Sequence, residues 1–185
     1  MISATELRKG VTFELDGELH RVLEYQHSYL GRGSANVRVK LRNLRTGRTI
    51  ERNFGTSEKF QDVRLELRQV QYLYGDGDLY YFMDTETYEQ PAISADTLGH
   101  NVDFLKEGMV ISLSTYESQP VEIELPVTVD LEVTQTEPGV KGDTATGATK
   151  RAILETGLAV QVPLFVDEGD VVRVDTRTGE YLTRV

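Results

Sequence analysis

A chain of 185 residues that is 39% hydrophobic carries ample apolar mass for one to three small cores, and its formal net charge of -10 argues against indiscriminate binding to nucleic acid. Cysteine is absent, which excludes disulfides, thiolate catalysis and cysteine zinc sites. Because Met1-Ile2-Ser3-Ala4-Thr5-Glu6-Leu7-Arg8 lacks a cationic segment followed by an apolar run, and no apolar stretch approaches bilayer length, the expectation is a soluble, unexported, cytoplasmic protein with no membrane partner.

Strand signals run almost from end to end. Val11, Phe13 and Leu15 alternate with polar residues up to Asp16-Gly17, a type I′ hairpin signal, and Leu19 to Tyr25 return. Gly31-Arg32-Gly33 follows. Glycines on both sides of an arginine permit a tight turn that presents the guanidinium at a tip, a form suited to phosphate, although the same residues also make an ordinary hairpin with a solvated arginine. From Val37 to Arg42 the alternation is strict: Val37, Val39 and Leu41 share one face of a strand and Arg38, Lys40 and Arg42 the other.

Three further turn signals share one chemistry. Asn43-Leu44-Arg45-Thr46-Gly47, Asp84-Thr85-Glu86-Thr87-Tyr88 and Asp175-Thr176-Arg177-Thr178-Gly179 each place Asn or Asp ahead of a turn, where its side chain can bond its own backbone. The middle of the chain holds an aromatic hairpin, Val70-Gln71-Tyr72-Leu73-Tyr74 and Leu79-Tyr80-Tyr81-Phe82-Met83 around Gly75-Asp76-Gly77-Asp78, read as core packing rather than as a base-stacking surface. Asp76 and Asp78 lack the spacing of a calcium loop and are read as turn residues. Helical signals are brief: Ser57 to Lys59, Ile93 to Leu98 and the stretch after Gly99. Pro126 to Val133 and Val171 to Val174 return to strand alternation.

Charge is distributed in blocks: residues 1–64 net +4, 65–128 net -10, 129–185 net -4. With short strands at regular spacing, this predicts an all-β chain of three small barrels over 1–64, 65–128 and 129–185, with a phosphate-contacting first third. Catalytic signals are missing. The three histidines, His20, His27 and His100, form no metal spacing, and Gly139-Val140-Lys141-Gly142-Asp143-Thr144 lacks the order of a nucleotide-binding loop, so neither enzyme activity, metal nor cofactor is expected.

Lys150-Arg151-Ala152-Ile153-Leu154-Glu155-Thr156-Gly157-Leu158-Ala159-Val160-Gln161-Val162-Pro163-Leu164-Phe165-Val166-Asp167-Glu168-Gly169 resembles the signature of bacterial elongation factor P, with its Lys-x-Ala, the glycine seven residues after Lys150, Val-Pro and the closing glycine. Pro138 to Thr144, Asp175 to Tyr181, Gln71 to Tyr74 and Phe82-Met83-Asp84 are similar to the family as well. The resemblance implies a KOW/SH3-like barrel followed by two OB folds in an L-shaped, tRNA-like arrangement. It further implies a monomeric translation factor that binds the ribosome between the P and E sites, positions P-site peptidyl-tRNA and relieves stalling at consecutive prolines. A regulatory single-stranded RNA-binding module is the alternative, against which the acidic barrels speak.

By the same resemblance Arg32, held by Gly31 and Gly33, stands at the tip facing the CCA end; Gly142, Asp143 and Thr144 lie near E-site mRNA; and Tyr181 and Arg184 face the small subunit. The assignment of Arg38, Lys40 and Arg42 to tRNA phosphates comes from strand alternation. Many family members carry a modified lysine at the tip, often with proline before the Gly-Lys-Gly; Leu30-Gly31-Arg32-Gly33 has neither, which rules out lysine modification there. Another branch carries rhamnosylated arginine followed by asparagine, where this chain has Gly33. Arg32 therefore acts bare or is the target of a modifying enzyme that installs another group.

Overall fold

The structure, a computed structural model, describes residues 1–28, 35–139 and 147–185. The tip residues Gly31, Arg32 and Gly33 and the loop residues Gly142, Asp143 and Thr144 lie outside the described residues. The described strands form three sheets. The first contains β1 (Ile2–Ser3), β2 (Thr12–Leu15), β3 (Glu18–Ser28), β4 (Asn36–Asn43), β5 (Thr49–Gly55) and β6 (Lys59–Asp62), in the order β1-β6-β2-β3-β4-β5. Asp16 and Gly17, joining β2 to β3, have φ of 54 and 80°, both left-handed as a type I′ turn requires. Alternation places Val37, Val39 and Leu41 of β4 fully inside, against Leu7, Phe13, Val22 and Phe54, and Phe13, Phe54 and Phe60 meet ring to ring.

The second sheet contains β7 (Glu66–Gly75), β8 (Leu79–Asp84), β9 (Ala92–Ser94), β10 (Val110–Tyr116) and β11 (Gln119–Glu124), ordered β11-β10-β7-β8-β9. Between β9 and β10 stand α1 (Ala95–Leu98), N-capped by Ser94, and a 3-10 turn over Gly99–Phe104. The third sheet contains β12 (Thr128–Thr136), β13 (Thr149–Leu154), β14 (Ala159–Pro163), β15 (Val171–Asp175) and β16 (Tyr181–Arg184), ordered β14-β13-β12-β15-β16. The helical signal at Ser57 to Lys59 is corrected: Thr56 and Ser57 form a turn in which Glu58 donates its backbone N–H to the Gly55 carbonyl, and Lys59 opens β6. Three polar residues are too few to nucleate a helix when the adjoining strands offer ladder bonds.

By density of contacts the chain divides into two compact units, residues 1–68 with 113–122 and residues 69–112 with 123–185. Within the second unit, Val129, Leu131, Val133, Leu154, Val162, Val172 and Val174 form a core into which Phe104, 4% exposed, inserts. Thr156 donates its hydroxyl to the Asp103 carbonyl at 2.5 Å, and Lys106 pairs with Glu155 at 3.1 Å.

One turn is built three times. Asn43 Oδ1 accepts the N–H groups of Arg45 and Thr46 at 2.8 and 2.9 Å, and Asp84 Oδ1 those of Glu86 and Thr87 at 2.8 and 3.0 Å. Asp175 Oδ1 accepts that of Arg177 at 2.8 Å. In each turn the fifth residue (Gly47, Tyr88, Gly179) donates its N–H to the first residue's carbonyl and has a φ of 72, 61 or 75°. All three leading side chains are buried, so each supplies bonds that the turn backbone could not otherwise make away from water. The turns join β4 to β5, β8 to β9 and β15 to β16, and in each sheet the second strand is an edge.

Asn43→Ala removes two accepted bonds from a buried turn and the amide that donates to the Glu18 carboxylate at 2.5 Å. The expected loss is about 2 kcal/mol in urea unfolding followed by circular dichroism; a change under about 0.5 kcal/mol would contradict this account. The Arg177 guanidinium and then the Arg177 N–H hold the Asp175 carboxyl at about 2, below its ordinary 3.8. A depressed folded value stabilises above the unfolded one and is lost on acidification, so this contribution is present above about pH 4 and disappears toward about pH 2. Asp175→Asn, which keeps the acceptor without the charge, is expected to flatten the fall of melting temperature across that window.

Candidate nucleic-acid interface

The outer face of the first sheet is a three-by-three array set by register. Arg38 of β4 lies between Gln26 and Asn53, Lys40 between Glu24 and Glu51, and Arg42 between Arg21 and Thr49. The stripe expected from alternation is therefore present on one face. It is not a bare cationic strip. Arg38 Nε donates to Glu51 Oε2 at 3.2 Å with a second, closer contact from the same guanidinium, and Lys40 Nζ meets Glu24 at 3.3 Å. The pairing raises the Arg38 pKa and lowers that of Glu51, hydrogen bonding first and charge second. Arg21 pairs with Glu122 at 2.7 Å, whereas Arg42, exposed, has no carboxylate partner among the described residues.

Exposed pairs of this kind contribute little to stability, so phosphate can replace the carboxylates at small cost. Arg38 and Glu51 are both more than half exposed, and with Glu24, Gln26, Val39 and Lys40 they line a shallow cleft of about 210 Å³. Glu24 and Glu51 are the site residues that strand alternation did not reveal. They sit on different strands, and only the cross-strand register brings them to Lys40.

Two further groups lie on the third sheet. Tyr181 packs partly against the core of the second unit. Arg184 holds its guanidinium 5.0 Å from the Phe165 ring centroid and 3.4 Å from Asp170, whose pKa is lowered chiefly by the Asp167 N–H. The chain leaving β12 is clamped. Lys150, 7% exposed, donates to the Glu137 carbonyl at 2.7 Å; the Thr136 N–H reaches Glu168 at 3.2 Å; and a Cβ at Gly139 would stand 2.5 Å from the Leu164 carbonyl oxygen. Only glycine allows that approach. Asp76 Oδ1 accepts the N–H groups of Asp78 and Leu79 at 3.0 and 2.8 Å, so this aspartate serves a turn. Among the described residues no group of three or more His, Asp or Glu side chains is placed to hold a metal ion, and no helix is long and apolar enough to cross a membrane.

Three family models match in succession: the elongation factor P KOW-like domain over 3–60, the elongation factor P OB domain over 65–123, and the elongation factor P C-terminal domain over 129–184. Elongation factor P of Acetivibrio thermocellus is 54% identical over 185 residues, covering all of both chains, and that of Moorella thermoacetica is 54% identical over 184 residues with equal coverage. Among solved structures, the eukaryotic translation initiation factor 5A from Methanococcus jannaschii shares the fold over 67% of this chain and 93% of its own, with a TM-score of 0.55 at 22% identity.

Neutralising the partners tests the stripe. Glu24→Gln with Glu51→Gln is expected to tighten binding to deacylated tRNA several-fold at low salt and to steepen the plot of log affinity against log salt by about 1 to 2, read by fluorescence anisotropy. Unchanged affinity and slope would remove Arg38 and Lys40 from the interface.

Proposed function

The chain belongs to the elongation factor P family of translation factors, and from that premise we propose that it binds the ribosome between the P and E sites and stimulates peptide-bond formation at consecutive prolines. What carries the reading is full-length agreement with the family, 54% identity over all 185 residues, together with a first sheet whose outer face bears three cations on one strand. The domain bounds that go with it are 1–64, 65–128 and 129–185.

Proline has a fixed φ and a secondary amine, which make it a constrained partner in peptide transfer. Holding the peptidyl-tRNA in a reactive geometry lowers an entropic barrier without a new acid or base, so the protein acts as a positioning factor rather than as an enzyme. In this scheme Arg32, flanked by Gly31 and Gly33, reaches the CCA end, and Arg38, Lys40 and Arg42 track tRNA phosphates. Gly142, Asp143 and Thr144 approach the E-site message, and Tyr181 and Arg184 face the small subunit. The factor works as a cytoplasmic monomer. Arg32 acts bare or carries a group added by a modifying enzyme, and the intact mass of protein purified from its host decides between these.

Reconstituted translation of a reporter with three consecutive prolines is the test. Added protein is expected to rescue that reporter and leave a proline-free control unchanged, while Arg32→Ala, a change at a tip with a folding effect within about 0.5 kcal/mol, abolishes most of the rescue. Rescue by unmodified recombinant protein shows that bare Arg32 suffices. Failure of host-purified protein to rescue, together with tight binding to free single-stranded RNA, would replace this reading with that of a regulatory RNA-binding module.

A further inference from the structure

Lys150 occupies a position that strand alternation reserves for an apolar side chain. Along β13, Lys150, Ala152 and Leu154 are buried while Thr149 and Arg151 are exposed, and Lys150 lies opposite fully buried Val162 of β14. Its side chain is 5% exposed, so the ammonium has been taken almost wholly out of water. A charge in such a place is costly, and an apolar side chain of similar length would fill the space without that cost. Lysine is explained by what its ammonium holds.

It holds backbone. Lys150 Nζ donates to the Glu137 carbonyl at 2.7 Å, with the exposed Asp167 carboxylate 3.9 Å away. Glu137 stands one residue past the end of β12, beyond the last ladder pair of Thr136 with Ala152, where strand bonds no longer secure the chain. Two neighbouring contacts complete the attachment. The Thr136 N–H reaches Glu168 at 3.2 Å, and Gly139 passes so near the Leu164 carbonyl oxygen that a Cβ would stand 2.5 Å from it. After residues 140–148 the chain returns at Thr149, paired with Pro163. Gly139 and Thr149 therefore rest on the same two residues, Pro163 and Leu164.

Between these points the chain carries Gly142, Asp143 and Thr144. We propose that Lys150 is a positioning residue: by fixing the Glu137 carbonyl it sets where the chain enters residues 140–146 and so presents Gly142, Asp143 and Thr144 to the message. An ammonium suits the task because its bond to a carbonyl is charge-assisted and its stem is held by the packed sheet. Buried as it is, Lys150 acts through the backbone rather than on RNA. The inference rests on the proposed function, under which those three residues approach the E-site message.

The experiment uses the full chain, purified ribosomes and the triple-proline reporter. Lys150→Met is expected to melt cooperatively, at a temperature equal to or above that of the wild type, because an apolar side chain replaces a buried charge and water can reach the exposed Glu137. It is nonetheless expected to raise the factor concentration for half-maximal rescue about tenfold while leaving rescue at saturation intact. A role in packing alone would move melting and rescue together. A benzophenone amino acid in place of Ala145 is expected to capture the message, and to capture several-fold less when Lys150→Met is added at saturating factor. If Lys150→Met melts without cooperativity, Glu168→Ala, at an exposed position in the same attachment, carries the test with an expected shift of about threefold. Unchanged concentration dependence in a folded variant, or equal capture with and without Lys150→Met, overturns the inference while leaving the translational reading intact. Absence of rescue by the wild-type chain overturns that reading and this inference with it.

Discussion

One side-chain oxygen at the end of a central strand governs much of this molecule. Asn43, Asp84 and Asp175 each gather the backbone of the following turn and thereby fix how an edge strand meets its neighbour. In the first sheet this has electrostatic consequences. Once Asn43 fixes the turn, Arg42 must oppose Thr49, Lys40 must oppose Glu51 and Arg38 must oppose Asn53. A slip of one residue would turn the outer residues of β5 inward and separate Lys40 from Glu51. The charge arrangement of the candidate interface therefore depends on a buried amide at the far end of the strand.

The same turn is filled differently in each sheet. Glycine holds the left-handed fifth position at Gly47 and Gly179, but Tyr88 occupies it in the second with a φ of 61° and 70% exposure. The third turn adds the Arg177 guanidinium to the Asp175 carboxylate, an ion pair contained within the turn itself. These variations leave the backbone pattern unchanged because the Oδ1 acceptor is common to Asn and Asp.

Two surfaces of opposite character follow. On the first sheet, cations are partly answered by Glu24 and Glu51, which restrains attraction to phosphate in general and leaves the pairs exchangeable. On the second, a bulge exposes neutral aromatics where the flanking turns carry only acid. Within the second unit, Phe104 and Lys106 lock the segment before β10 to the third sheet, while Lys150 fixes the backbone leaving β12. A buried ammonium that bonds a carbonyl at 2.7 Å and lies 3.9 Å from the Asp167 carboxylate keeps its place because a buried charge without such partners is costly.

Local chemistry was enough to read the strands, the Asp16-Gly17 turn, the Asx turns and the inward face of β4, since period-2 alternation and turn residues act over a few positions. The family resemblance was equally legible, carried by the run from Lys150 to Gly169. The sequence misled at Ser57 to Lys59, where a helical signal yielded to ladder bonds from distant strands, and in assigning the whole aromatic hairpin to the core, where the bulge after Tyr72 sends Tyr74 outward. Nothing near Lys40 in the chain announces Glu24 and Glu51, and nothing near Phe104 announces the core of the third sheet that it joins. Composition and alternation determined that three cations share a face; register alone decided which carboxylates answer them, because pairing across strands joins residues that the chain keeps far apart.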